Sequence, residues 1–171
     1  VGGQIGAFLA VPPGADVAPF TGYKTMDNVA DLCREKPDED HDMTRLVQGE
    51  GLTRHRLISE FKKDDRHVLF GTKSFWSGVD VPGEALSNVI ITRLPFAVPD
   101  HPLIEAKLEL IQARGGDAFT EYSLPEAMLK FRQGVGRLIR SKSDSGIVVV
   151  LDNRIVTKTY GRAFLKALPE C

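Results

Sequence analysis

Two stretches of this chain combine residue types that bind anions. The first is Gln133-Gly134-Val135-Gly136-Arg137-Leu138-Ile139-Arg140. Arg137 and Arg140 stand three apart, so on a helix they project from one face. Lys130, Arg132 and Lys142 flank them, and residues 130–142 carry five positive charges and no negative one. Planar guanidinium forks match phosphate oxygens bidentately. Gly134 and Gly136 are poor helix formers, each costing about 1 kcal/mol against Ala, and the close approach of a ligand or another backbone would explain them. A solvated basic helix end gives the same charge pattern.

The second stretch is Gly71-Thr72-Lys73-Ser74-Phe75-Trp76-Ser77-Gly78-Val79-Asp80-Val81-Pro82-Gly83, directly after an apolar run. Thr72, Lys73 and Ser74 can grip a phosphate, and the indole of Trp76, the single tryptophan, can stack on a base. Asp80 can accept hydrogen bonds from a ribose. The alternative is a folded loop with Phe75 and Trp76 as core plugs.

Other chemistry is absent from the sequence. No G-x-x-x-x-G-K-[ST] loop exists to cradle β- and γ-phosphates, and no paired carboxylate follows a strand to hold Mg²⁺. There is no G-x-S-x-G elbow. The four histidines, at 41, 55, 67 and 101, lack metal-ligand spacing, so no metal site is expected.

These segments need a scaffold, and the pattern of elements predicts one. A helix opens near Thr25, with Met26, Val29, Ala30 and Cys33 on one face. Leu46-Val47 is a short strand, and Thr53 caps a helix that turns Leu57, Ile58 and Phe61 inward. His67–Phe70 and Asn88–Leu94 read as strands. Val17-Ala18-Pro19-Phe20 reads as a strand whose proline, lacking an N–H, argues for an edge position. A helix is expected over Leu103–Arg114 with Leu103, Ile104, Leu108 and Ile111 inward. Another should open at the capping box Ser123-Leu124-Pro125-Glu126. The continuous run Ile147–Leu151 suggests a central strand buried on both faces, and a last helix is expected from Lys158 to Leu168. Strands alternating with helices predict an α/β sandwich on a mostly parallel sheet, with functional residues at the carboxyl ends of strands.

The chain has 171 residues, 42% apolar and 26% charged, which suits one soluble globular domain. Its 22 basic and 23 acidic residues leave a net charge of −1, which excludes a polybasic protein and confines anion binding to local clusters. Two cysteines make no disulfide framework and fit a reducing, cytoplasmic compartment. No apolar run approaches the roughly 20 residues of a membrane helix. Residues 1–15 read as a linker or irregular segment before a domain over 16–171, and 35–42 as a solvated acidic loop. The chain starts at Val1 without Met, as a piece of a longer protein or a processed terminus would.

Together these stretches resemble the second RecA-like motor domain of superfamily 2 helicases, in the DinG/XPD-like branch. Residues 133–140 match motif VI, Q-x-x-G-R-x-x-R, and residues 71–83 resemble motif V. Leu94-Pro95-Phe96 with Pro99, Leu151-Asp152-Asn153-Arg154 and Tyr160-Gly161 are similar to further family segments, and Phe20-Thr21-Gly22-Tyr23 weakly to motif IV. The resemblance implies a RecA-like three-layer sandwich. It implies one motor lobe of an ATP-dependent DNA helicase moving 5′ to 3′, with ATP and Mg²⁺ shared with a first RecA-like lobe absent from this sequence. By that match Arg137 and Arg140 are arginine fingers and Gln133 positions them; Asp80, Gly78 and Gly136 lie at the nucleotide; Thr72, Lys73, Ser74 and Trp76 hold single-stranded DNA. The isolated chain would then be inactive. The competing reading is a non-catalytic nucleic-acid or protein binding module on the same fold.

Overall fold

The computed structural model describes residues 16–20, 22–35, 43–72, 86, 88–98, 101–136, 138 and 145–168, with residues 32–35 described by backbone alone. The expected linker over 1–15 and the acidic loop from 36 to 42 lie outside the described residues. The chain gathers into two compact units, residues 1–93 with 134–152, and 94–133 with 153–171.

The first unit is built on a sheet. In chain order it holds β1 (Asp16–Phe20), α1 (Tyr23–Glu35), β2 (Thr44–Val47), α2 (Arg54–Phe61), β3 (His67–Thr72), β4 (Asn88–Ile91) and β5 (Ile147–Val150). The strands order as β2-β3-β1-β4-β5, and every described pair is parallel. Side chains alternate across the sheet. On one face Ala18, Phe20, Val47, Val68, Phe70 and Ile90 pack with Met26, Val29 and Ala30 of α1. Phe20 and Phe70 meet edge to face at 5.6 Å. The register aligns Leu46, Leu69, Val17 and Val89 as a row on the opposite face. Buried Leu57 and Phe61 belong to α2, which packs on β2 and β3. Thr53 caps α2, its side chain accepting from the Arg56 N–H.

Three expectations need correction in this unit. β1 is the middle strand, not an edge. Pro19 is tolerated there because of where its polar groups point. A strand residue turns its N–H and C=O toward the same neighbour, and the Pro19 carbonyl accepts from Thr92 Oγ1, just beyond β4, at 3.0 Å. The missing N–H therefore faces β4, where strand pairing has already lapsed after Asp16↔Asn88 and Val17↔Val89. On the other side the Pro19↔Gly71 register with β3 continues undisturbed. Conversely β5 pairs only with β4 among the described strands, and Ile147 is 42% exposed. An unbroken β-branched run marks strand propensity; it does not by itself place the strand at the centre. β4 also stops at Ile91, short of Leu94, and β3 runs on through Gly71 and Thr72.

The second unit is helical. It holds α3 (Pro102–Ala113), a wide π turn (Phe119–Ser123) running into α4 (Leu124–Val135), then α5 (Arg154–Thr157) and α6 (Gly161–Lys166). The last turn of α4 crosses into the first unit. Rings hold the second unit together: Phe164 lies edge-on to Phe96, Phe131 and Tyr160, and Phe96 stacks on Phe119 at 5.8 Å.

Sequence patterns mislead at three places in this unit. α4 begins at Leu124, where the capping box at Ser123 puts it, but Ser123 does not open the helical path. Asp117 does, its carboxylate accepting from the Phe119 and Thr120 N–H groups and the Thr120 hydroxyl. Pro125 then sits inside a continuous helical path. Pro125 lacks an N–H and its ring crowds the preceding turn, and that turn is widened, with Leu124 N–H reaching the Phe119 carbonyl five residues back. Of the expected helix from 158 to 168 only α6, Gly161–Lys166, forms, because Lys158 is extended; a separate short helix, α5, precedes it, and Gly161 presses on α5. A Cβ at Gly161 would lie 2.0 Å from the Ile155 carbonyl oxygen. On α3, Ile111 is buried as expected, but Leu103 is 71% exposed.

Candidate functional site

A parallel α/β sheet presents its ligand-binding residues beyond the carboxyl ends of its strands. In the first unit that edge is a row of polar residues. Gln48 follows β2, Thr72 ends β3, Thr92 follows β4 and buried Asp152 follows β5 by two residues. Tyr23 opens α1 just after β1.

Three of these residues are joined. Beyond Val47 the chain turns away through Gly49 and Gly51, at φ of +96° and +73°, values glycine adopts without strain. The Gln48 N–H still donates to the Phe70 carbonyl at 3.0 Å. Beyond the end of β2, Gln48 Oε1 accepts from the Thr72 N–H at 2.7 Å. The same oxygen accepts from Thr72 Oγ1 at 2.9 Å. A backbone N–H can only donate, which fixes the amide orientation. Nε2 therefore points away and donates to the Tyr23 hydroxyl oxygen at 2.7 Å.

Of the expected strand-binding residues, Thr72 is thus placed at the carboxyl edge, buried, with its one hydroxyl proton directed at Gln48. Lys73, Ser74, Trp76, Gly78 and Asp80 lie outside the described residues, as do Arg137 and Arg140. Gln133 is exposed on α4 in the second unit, and Gly136 is exposed in the first. Val135 and Leu138 are buried, and the Leu138 N–H donates to the Val135 carbonyl at 2.9 Å. The structure brings Thr72 together with Gln48, which no motif singles out, and through it with Tyr23, the last residue of the segment weakly similar to motif IV. The available signal for Gln48 was its place one residue beyond a strand, before a glycine-rich turn.

Gln48, Thr72, Tyr23 and Thr92 are all neutral, and exposed Lys24 and Arg93 stand beside them. Asp16, whose carboxyl burial pushes up to about 6, lies at the amino end of β1, away from this edge. Among the described residues there is no group of three His, Cys, Asp or Glu side chains that could hold a metal ion. No helix among them is long and apolar enough to cross a membrane.

The sequence matches the family described as helicase C-terminal domain over residues 5–171. It is 46% identical to the ATP-dependent DNA helicase YoaA of Haemophilus influenzae over 149 residues, 87% of this chain and 22% of that protein. It is 52% identical to the 3′-5′ exonuclease DinG of Bacillus subtilis over 125 residues, 72% of this chain and 13% of that protein. The chain therefore spans less than a quarter of the length of these relatives. Its fold matches a solved XPD helicase structure with a TM-score of 0.72 at 19% identity, covering 97% of this chain and 29% of that one. The parallel sheet with its helices is a RecA-like α/β fold.

Proposed function

The chain belongs to the helicase C-terminal domain family, of DinG/XPD-like helicases, and on that premise we propose that it is the second motor lobe of an ATP-dependent DNA helicase. The observation that carries this reading is that the family match runs through residues 71–83 and 133–140, the two stretches whose residue types suit anion binding.

ATP, when bound, supplies the phosphoryl bond whose hydrolysis drives movement, with the phosphates and Mg²⁺ held by the first RecA-like lobe. This chain's Arg137 and Arg140 contribute positive charge across the cleft where charge develops in phosphoryl transfer. Gln133 orients them, Asp80 accepts from the ribose, and Gly78 and Gly136 let the backbone come close. Lys73, Ser74 and Trp76 hold the single-stranded DNA, with Thr72 fixing the start of their loop. The supporting structural feature is that Val135 and Leu138, within residues 133–140, are buried. Alternate closing and opening of two lobes moves the strand, and a cytoplasmic site of action goes with DNA as the substrate.

The test is ATP turnover by the full-length parent protein. Arg137→Ala and Arg140→Ala should each cut it about 10³-fold, the size of an arginine-finger loss, while single-strand affinity changes far less. A variant that hydrolyses ATP normally but loses DNA would make the cluster a DNA patch and overturn the assignment.

A further inference from the structure

Tyr23 is an aromatic residue on the core stripe of α1 that the core leaves half uncovered. It stands three residues before Met26 and seven before Ala30, both buried, so helical spacing puts it on the face that packs on the sheet. The sheet ends beneath it. β1 stops at Phe20, β2 at Val47 and β3 at Thr72, while α1 begins at Tyr23. The ring therefore reaches past the carboxyl edge, where Gln48 meets it, and is 52% exposed. Its outer end is nevertheless fixed. The hydroxyl accepts from Gln48 Nε2 at 2.7 Å, and Gln48 Oε1 is held in turn by the N–H and hydroxyl of buried Thr72.

A ring held by its hydroxyl and open to water loses little freedom when a ligand covers it. It lies at the edge where a parallel α/β sheet binds ligands. Exposed Lys24 and Arg93 add positive charge there. An open ring beside cations fits a ligand with flat faces and repeated negative charge, and a single nucleic-acid strand is such a ligand. Tyr23, Lys24, Gln48, Thr72 and Arg93 all belong to the first unit and to the described residues.

We infer that Tyr23 is a base-stacking residue: its ring takes one base of a bound single strand, and Gln48 positions that ring by holding its hydroxyl. The inference rests on the proposed reading of the chain as a helicase motor lobe. It calls on no residue of the segment from 73 to 83.

The test uses the full-length parent protein and two labelled single strands of equal length, one of thymidines and one of abasic nucleotides. Anisotropy titrations are run at several salt concentrations, at a temperature where melting curves show each variant folded. Tyr23→Leu should weaken binding of the thymidine strand about tenfold, the scale of losing one stacked base. Its salt slope should match the wild type, because no phosphate contact is lost. The abasic strand has no base to stack, so the variant and the wild type should bind it within about twofold of each other. Tyr23→Phe keeps the ring and should bind the thymidine strand within about threefold of the wild type.

Wild-type affinity of Tyr23→Leu for the thymidine strand, an equal loss on the abasic strand, a fallen salt slope, or a Tyr23→Phe loss as large as that of Tyr23→Leu would each overturn the inference. Any of these with DNA-stimulated ATP turnover intact would leave the helicase-lobe reading standing. A parent protein that neither binds the thymidine strand nor hydrolyses ATP would overturn both.

Discussion

The two units solve the problem of order differently. In the first, the backbone ladder does most of the work, and polar side chains take over where the ladder fails. Thr92 serves the Pro19 carbonyl, Gln48 serves Thr72, and Asn88 donates to buried Asp16 at 2.5 Å. In the second, rings fill the space between short helices, and the polar contacts lie at the surface, as in the Arg114–Glu121 and Lys130–Glu126 pairs. A unit held by directed polar bonds should be sensitive to chemistry at constant shape. A unit held by rings should be sensitive to volume. The first kind of order suits a site, since it fixes the direction in which a loop leaves a strand.

The largest effect should come from volume in the second unit. Phe164 is fully buried and touches the rings of Phe96, Phe131 and Tyr160. Phe164→Ala should cost about 3–5 kcal/mol of stability in denaturant unfolding, because three rigid rings cannot collapse into the void. A cost under about 1 kcal/mol would mean that something other than ring packing holds this unit.

Next in size is a change of chemistry at constant shape in the first unit. Burial raises the Asp16 carboxyl from 3.8 to about 6. The folded state therefore holds a proton that the unfolded state releases between these values, and stability falls as pH rises through that window. At about 1.4 kcal/mol per pH unit, the roughly two-unit shift amounts to about 3 kcal/mol lost by pH 7. Asp16→Asn keeps the shape and still accepts from Asn88. It should match the wild type near pH 4 and exceed it at pH 7. Unfolding curves at both pH values decide this, and a difference that does not change with pH would mean that Asp16 does not hold its proton in the folded state.

The same contrast explains how much of the molecule its sequence shows. The α/β alternation is legible because hydrophobic period distinguishes strand from helix, and β3, β2 and α2 fall where the pattern puts them. Strand position in the sheet is less legible. Pro19 points to an edge only if the one neighbour its N–H would face needs that donor, and β4 does not. Helix starts mislead where two capping signals compete. Asp117 opens the path first, leaving Ser123 inside it. The candidate site shows in the sequence as motifs marked by residue type and spacing; of its proposed strand-binding residues the structure describes Thr72, and Arg137 and Arg140 lie outside the described residues. Gln48 is not legible, because its role arises from register: only when β2 and β3 are paired does residue 48 come beside residue 72.

A smaller loss is expected at Thr92. Its hydroxyl is the partner of the Pro19 carbonyl on a strand that cannot offer an N–H there. Thr92→Val keeps the volume and removes the donor, which should cost about 1 kcal/mol in unfolding, while Thr92→Ser should keep most of the stability. Equal stability in all three proteins would mean that the middle strand tolerates its proline without this bond.

The smallest effect should be at the surface of the second unit. Arg114 donates to Glu121 across the turn that carries Gly115 and Gly116, with the two side chains 63% and 41% exposed. The contact is short, and by geometry alone it looks as strong as the Asp16–Asn88 bond in the first unit. Exposure decides otherwise: water screens the charges, and two long side chains lose freedom to meet. Arg114→Ala should therefore shift unfolding by less than about 1 kcal/mol, and less still at high salt, where exposed pairs are screened. The Gly115 N–H to Gln112 carbonyl bond and the Gly116 N–H to Ile111 carbonyl bond close α3 without the arginine. A loss of several kcal/mol on Arg114→Ala, insensitive to salt, would show that a directed polar bond orders this unit too, and the contrast between the two units would fail at its clearest point.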